Sequence, residues 1–354
     1  MEVIIRLLDL GYSVFISDVD VYYLADPMSY FDEGVDVVIQ DGWEMLNPGF
    51  MFVNNTAESK QLFKRTWDKV LKTNWMIKEQ VNVDEEIKTM SEQKTLKYKR
   101  LLASLFPCGK AYFKPRPIAL EKPSGFVAVH NTHIKGLEEK IYRFKEHLFW
   151  INDRNGYFTS LDSRYIQYDN PNIGFDNKTL LTETIALRNA IAIANLTNRI
   201  LILPKFFCFG TRCSLAICPK NMTGSCPLSA HFIPRAFEHT FKGQYRESTF
   251  LINPRVPYRV KRSISPSLLL NNFQNICFSV NHDLLLSVNN TSISSNQQNN
   301  EVYFEDFTAL LEPYKKFRIL KFSSLYYGFK GFKDLKKQQW LDSKCKTGLA
   351  RRWR

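Results

Sequence analysis

Two carboxylates, Asp18 and Asp20, stand two residues apart where the strand-like run at the start of "YSVFISDVDVYYLADP" gives out. In an extended chain residues i and i+2 share a face, so these two side chains project together while Val19 points away. Like charges on one face repel unless a cation or a proton lies between them. A hard divalent ion such as Mn2+ or Mg2+ suits carboxylate oxygens and keeps coordination sites for a diphosphate, whose departure it assists as a Lewis acid. On the triplet alone two other readings stay open. One is an acid–base pair, although neighbours on one strand are not the usual flanking arrangement; the other is a solvated strand end.

The elements that must position this pair follow from hydrophobic spacing. Val3, Ile4, Leu7 and Leu8 fall at helical intervals, with Gly11 placed as a C-cap, so an amphipathic helix feeds the first strand at 13–17. Further strands are predicted at 35–39 and 50–53, a helix at 57–72, and a polar helix near 83–100. Two short strands, "KAYF" and "GFVAVHN", and a helix at 136–150 complete the first half. Alternating strands and helices predict an α/β fold with a mixed sheet. The polar stretch 151–172 reads as a linker between domains at 1–150 and 173–354. The second domain opens with an apolar helix, Asn198-Arg199 and the strand "ILILP", a pattern predicting a second α/β domain. Within that helix and beyond, Arg188, Asn189 and Arg246 are polar in apolar surroundings; they either bind an acceptor or satisfy buried backbone groups. Residues 287–300 are polar and of low complexity, the composition of a loop.

Composition narrows the class. A chain of 354 residues, 44% hydrophobic and 14% aromatic, is globular and long enough for two domains. Its net charge of +13 suits nucleic acid, anionic membrane surfaces or phosphate-bearing ligands. No DNA- or RNA-binding motif accompanies that charge, which sets nucleic acid aside as a partner. No apolar run reaches the roughly 18 residues of a membrane-spanning helix. Four of the seven cysteines cluster, Cys208, Cys213, Cys218 and Cys226, without the paired CxxC spacing of most zinc sites; disulfides, zinc and free thiols all stay open. Sequons at Asn54, Asn177, Asn195, Asn221, Asn289 and Asn290, taken with the cysteines, favour an oxidising secretory compartment.

Blocks following the Asp-Val-Asp triplet carry a resemblance. "LLDLGYSVFISDVDVYYLADPMSYF" and "QDGWEMLNPGFMFVNNT", then Glu79-Gln80-Val81-Asn82, "FPCGKAYF" and "VHNTHIKGLEEKIYRFKEHLFW", resemble in order the nucleotide-diphospho-sugar transferases. The resemblance is closest to the retaining group that includes plant rhamnogalacturonan xylosyltransferases and extensin arabinosyltransferases. "ALRNAIAIANLTNRILILPKFFC", "CPLSAHF" and "YRESTFLINPRVP" are similar to the C-terminal extension of some members. Glu79 stands for the usual Asp, Pro48 for Ser, and Ser229 where an Asp is common.

This resemblance implies a GT-A type mixed sheet followed by a second α/β domain. The fold's first strands, which hold the nucleotide, would precede residue 1, so the chain reads as truncated at its N-terminus. It implies a metal-dependent transfer, with retention, from a nucleotide-diphosphate sugar (a UDP-sugar) to a glycan or glycoprotein. Asp18, Asp20 and His130 would hold Mn2+ or Mg2+, His130 being otherwise a core histidine. Asp41, Asn47, Gly49, Gln80, Gly136 and Lys140 would contact the donor, Asn47 and Gly49 being otherwise turn residues and Lys140 a solvated helix lysine. No nucleophile can be named. Members are lumenal in the Golgi or endoplasmic reticulum, as type II membrane proteins whose anchor belongs to the full-length form. The alternative is a catalytically inactive, glycosyltransferase-like binding or scaffold protein.

Overall fold

A computed structural model of the chain describes residues 1–31, 34–72, 78–115, 124–172, 179–208, 225–271, 275–279, 302–326 and 329–350. The chain is mixed α/β and packs as two units, the first reaching Lys135 and the second running from Gly136. No helix among the described residues is long and apolar enough to cross a membrane.

In the first unit helix α1 (Glu2–Asp9) leads into β1 (Val14–Ser17) through Gly11, whose φ of +95° is a conformation suited to glycine. After β2 (Val21–Tyr23) come β3 (Val37–Asp41), β4 (Leu46–Val53), α2 (Ala57–Lys72), α3 (Glu79–Glu92), β5 (Tyr98–Leu101), α4 (Gly109–Phe113) and β6 (Ala128–His130). The main sheet has the order β1-β4-β3-β5, with β5 parallel to β3 and the other pairs antiparallel. Both its faces are covered. Val37 and Ile39 pack with Leu62, Phe63, Val83 and Ile87 of α2 and α3, while Val38 faces Phe50, Phe106 and Val127 on the other side. Burial on both faces is why "VVI" is apolar without alternation.

Two expectations change here. Residues 98–101 are the strand β5 and not the end of a helix; the polar helix stops at Glu92. Exposed Lys99 and Arg100 on this sheet-edge strand gave it a polar, helix-like look, and charge on an edge is how strands resist further pairing. "KAYF" belongs to the helix α4, not to a strand. One turn buries both Tyr112 and Phe113, and Gly109 lets that turn press on the next segment: a Cβ there would lie 2.0 Å from the Thr132 carbonyl oxygen.

The second unit begins with α5 (Leu137–Glu146) and β7 (Tyr165–Tyr168), followed by α6 (Leu180–Leu196), β8 (Ile200–Ile202), β9 (Phe206–Phe207), β10 (Ser225–Cys226), α7 (Pro234–Phe241), β11 (Tyr245–Arg246), α8 (Tyr258–Arg262), β12 (Ser267–Asn271), β13 (Asn275–Ser279), β14 (Val302–Tyr303), α9 (Phe304–Ala309), β15 (Ile319–Phe322), β16 (Phe329–Gly331) and α10 (Leu335–Gly348). Its six-stranded sheet runs β11-β8-β7-β15-β12-β13, parallel except for the β12–β13 hairpin. The apolar helix predicted after the linker is α6, started by Thr179, whose hydroxyl accepts from the Thr182 N–H at 3.1 Å, and buried through Ala186, Leu187, Ala190 and Ile193.

The division after Lys135 differs from the expected boundary at 150, and the expected linker contributes a central strand. The polarity of 151–172 belongs to loops flanking Tyr165, Ile166 and Tyr168, which are buried. Arg188, Asn189 and Arg246 have structural partners: Arg188 pairs with Asp342 at 2.7 Å, Asn189 donates to the Leu325 carbonyl at 2.8 Å, and Arg246 donates to the Tyr157 and Tyr245 carbonyls. Cys208 and Cys226 form a disulfide joining the ends of the β9–β10 pair; Cys213, Cys218 and the 287–300 stretch lie outside the described residues.

Candidate metal centre

The site is assembled by two pairings in the first unit. β2 runs antiparallel to β6 with Val21 opposite His130, and the Asn131 N–H donates to the Asp20 carbonyl at 2.9 Å. That register, absent from the sequence-based assignment because β2 is only three residues long, sets His130 beside Asp20. The second pairing is β1 with β4. It ends at Ser17 opposite Phe50, and the Asp18 N–H then donates to the Gly49 carbonyl at 2.7 Å.

β4 breaks its own ladder at this point. Ile39 of β3 faces Met51, but the next residue, Gln40, faces Asn47, so Pro48, Gly49 and Phe50 bulge out of the β3–β4 pairing. Proline is tolerated at a bulge because no ladder donor is needed there. Glycine is required by proximity: a Cβ on residue 49 would sit 2.1 Å from Asp18 Oδ2 and 3.1 Å from His130 Cε1.

Asp18, Asp20 and His130 thus meet, each offering one ligand atom, all within 4.8 Å of one another. His130 Nε2 lies 3.4 Å from Asp18 Oδ2 and 3.4 Å from Asp20 Oδ1. His130 and Asp20 are buried, whereas the Asp18 side chain is 57% exposed, so the cluster opens to solvent on its Asp18 side. Burial opposes a charged imidazole, but the two carboxylates outweigh it and hold the His130 pKa above the ordinary histidine value.

The other ring nitrogen decides what Nε2 can do. Gln40 Nε2 donates to the Phe106 carbonyl at 3.0 Å, and a carbonyl only accepts, so Gln40 Oε1 must face inward. It lies 2.8 Å from His130 Nδ1, which therefore carries a proton, so that in the neutral imidazole the Nε2 lone pair is directed at the carboxylates. Asn47 Nδ2 also donates to Gln40 Oε1, at 3.3 Å, alongside Nδ1, while Asn47 Oδ1 accepts from the Gly49 N–H at 3.0 Å. A neutral imidazole with its lone pair towards two carboxylates fits a divalent cation.

The remaining candidates fall in different places. Asn47 is buried and turned to Gln40 and His130. Gln80 Nε2 donates to the Leu46 carbonyl at 3.1 Å, and Asp84, one turn later on α3, accepts from the Leu46 N–H at 2.9 Å. The two clamp the backbone just before Asn47. Asp41 Oδ1 accepts from the Trp43 N–H at 3.0 Å, and its other oxygen is 3.9 Å from Arg100. Gly136 and Lys140 belong to the second unit, where Gly136 caps α5 at φ +97° against Glu139. Sequence reasoning missed Gln40 and Asp84. The one signal for Gln40 was a polar residue ending an apolar strand.

Residues 1–144 match the family model of nucleotide-diphospho-sugar transferases. Relatives in Arabidopsis thaliana include a UDP-D-xylose:L-fucose alpha-1,3-D-xylosyltransferase, 27% identical over 42% of this chain and 48% of that protein. An arabinosyltransferase from the same plant is 25% identical over 94% of this chain and 59% of its own length. The chain thus spans about half the length of the curated relatives it matches. No solved structure gives a significant match.

Proposed function

We propose that this chain, whose first 144 residues carry the nucleotide-diphospho-sugar transferase pattern, is a metal-dependent glycosyltransferase. It moves a sugar from a nucleotide-diphosphate donor, UDP-linked, to a glycan or glycoprotein acceptor. The observation carrying this reading is the convergence of Asp18, Asp20 and His130 around one point, with the Nε2 lone pair held towards the carboxylates by Gln40. Retention at the anomeric carbon and work in the lumen of the Golgi or endoplasmic reticulum rest on the sequence resemblance and on the Cys208–Cys226 disulfide.

A divalent ion at this cluster supplies positive charge to the donor diphosphate and to the leaving group. The protein's own groups do the positioning. His130 is fixed by Gln40 and by burial, Asp20 by the β2–β6 pairing, and Asp18 by its backbone bond to Gly49. Asp18, the exposed member, is where a donor arriving from solvent meets the site. Gln80 and Asp84 hold Leu46, so the Asn47–Gly49 bulge keeps its shape. The excess positive charge of the chain favours encounter with a polyanionic nucleotide.

The test is turnover of a panel of UDP-sugars with Mn2+, together with calorimetric binding of Mn2+ and UDP. The wild type is expected to hydrolyse or transfer one sugar, and Asp18→Ala combined with Asp20→Ala to abolish both turnover and Mn2+ binding. Unchanged turnover in the double variant sinks the metal assignment. A folded wild type that binds neither UDP nor Mn2+ supports the inactive scaffold reading instead.

A further inference from the structure

The hairpin between β3 and β4 carries a residue that the metal cluster leaves unexplained. Trp43 is 53% exposed, and its backbone has φ +85°. A bulky side chain in the left-handed region is an outlier, and such outliers persist only where surrounding contacts hold them. Those contacts are present. The Trp43 N–H donates to Asp41 Oδ1 at 3.0 Å, and the Gly42 N–H donates to the Met45 carbonyl at 3.0 Å, closing the turn. His133 Nε2 lies 3.1 Å from the Gly42 carbonyl oxygen. Lys110 places its ammonium 5.1 Å from the indole centroid and 3.1 Å from Glu44 Oε1.

Each tether leads back to the metal cluster. His133 follows His130 by three residues. A Cβ on Gly42 would come within 3.3 Å of Asn47 Cβ, and Asn47 contacts His130. Lys110 is on α4, whose Gly109 N–H donates to Thr132 Oγ1 at 2.9 Å, two residues after His130. The turn that carries the indole is therefore tied to the segments that adjoin the site, with a cation near the ring and about half the residue's surface in water.

We propose that Trp43 is the platform on which the acceptor glycan stacks, an inference that rests on the glycosyltransferase reading of this site. The donor's charge is met by the Asp18, Asp20 and His130 cluster. A sugar chain presents apolar C–H faces beside its hydroxyls, and dispersion contact of such a face with an aromatic ring is the recognition an exposed indole supplies. Exposure suits a ligand that enters and leaves with every turnover. A positive φ at a half-exposed tryptophan in a tied-down turn separates Trp43 from a scattered surface hydrophobe.

The experiment uses the full chain with Mn2+ and UDP present. Its probes are methyl glycosides and short oligosaccharides of xylose, arabinose, fucose and rhamnose, followed by saturation-transfer NMR and titration. The wild type is expected to bind at least one probe. Trp43→Ala and Trp43→Gly weaken that binding about tenfold or more and Trp43→Phe only about threefold, in line with one lost stacking contact. Trp43→Gly, which relieves the positive φ, melts no lower than the wild type, a result that a purely structural role would reverse. Glycan binding unaffected by Trp43→Ala, or no glycan bound by a protein that binds UDP and Mn2+, overturns the platform and leaves the donor site standing. Glycan binding that depends on Trp43 without any UDP or Mn2+ binding keeps the platform and removes the transferase reading.

Discussion

Gln40 Oε1 stands 2.8 Å from His130 Nδ1, and the Gln40 amide nitrogen is tied to the Phe106 carbonyl. This pair fixes which imidazole nitrogen is available to a cation. Gln40→Leu removes the acceptor and leaves the ring free to carry its proton on Nε2. Mn2+ affinity is expected to fall by roughly 10- to 100-fold, as for other partners of ligating histidines. Calorimetric titration of Mn2+ checks this, and unchanged affinity in Gln40→Leu would mean that the ring presents Nε2 to the cation without Gln40.

Gly49→Ala tests the bulge. The added methyl would lie 2.1 Å from Asp18 Oδ2. Asp18 is largely exposed, so its carboxylate swings away with little effect on folding, but it leaves the cluster. The expected result is a thermal midpoint close to wild type with Mn2+ binding weakened at least about tenfold, the equivalent of about 1.4 kcal/mol. A variant that melts much lower and binds Mn2+ normally once folded would contradict this arrangement.

The parts of the site that sequence revealed are those whose chemistry is local. Asp18 and Asp20 share a face in any extended segment, and His130 follows an apolar strand. Gln40 was invisible because its role comes from a register shift: only the bulge that opposes Gln40 to Asn47 brings it to the imidazole. Asn47 and Gly49 were found as a block, but whether Asn47 faces a ligand or His130 depends on that same shift. The strand β7 was hidden for a different reason. Four residues between polar loops give too short a pattern to outweigh their surroundings, although Tyr165 and Tyr168 are among the most buried aromatics of the chain. The α/β class itself was legible because the sheets are buried on both faces, so their strands stand out as apolar runs.

Glu183, on α6 of the second unit, gives a pH dependence. Its carboxyl is 1% exposed and burial pushes its pKa from 4.5 up to about 7, against the opposing help of Asn170, the Phe207 N–H and Asn172. Because the folded-state value is the higher one, the native protein binds the proton more tightly than the unfolded chain. Stability from this group is therefore complete below about pH 4.5 and is lost as pH rises to about 7. The loss is on the order of 3 kcal/mol. Glu183→Gln has no charge to bury, so its stability relative to wild type should rise between pH 5 and pH 8. Denaturant midpoints of the two proteins at both pH values measure the difference directly, and a constant offset would exclude ionisation of Glu183 in that window.

Two sequons in the described residues make opposite predictions for a chain made in the secretory pathway. Asn54 is buried and its side-chain nitrogen donates to the Val35 carbonyl at 2.6 Å, while Thr56 of the same sequon is bound to Asp36. A glycan on Asn54 would replace one hydrogen of that nitrogen and force sugar into the fold, since Asn54 is buried. Asn195 is exposed near the end of α6. Peptide mapping after expression in eukaryotic secretory cells should find glycan on Asn195 and none on Asn54. Asn195→Gln should remove one glycan without a stability penalty, and Asn54→Ala should destabilise by about 1 kcal/mol through an unpaired buried carbonyl. Glycan mapped to Asn54 in folded, secreted protein would show that the packing that buries Asn54 opens to admit sugar.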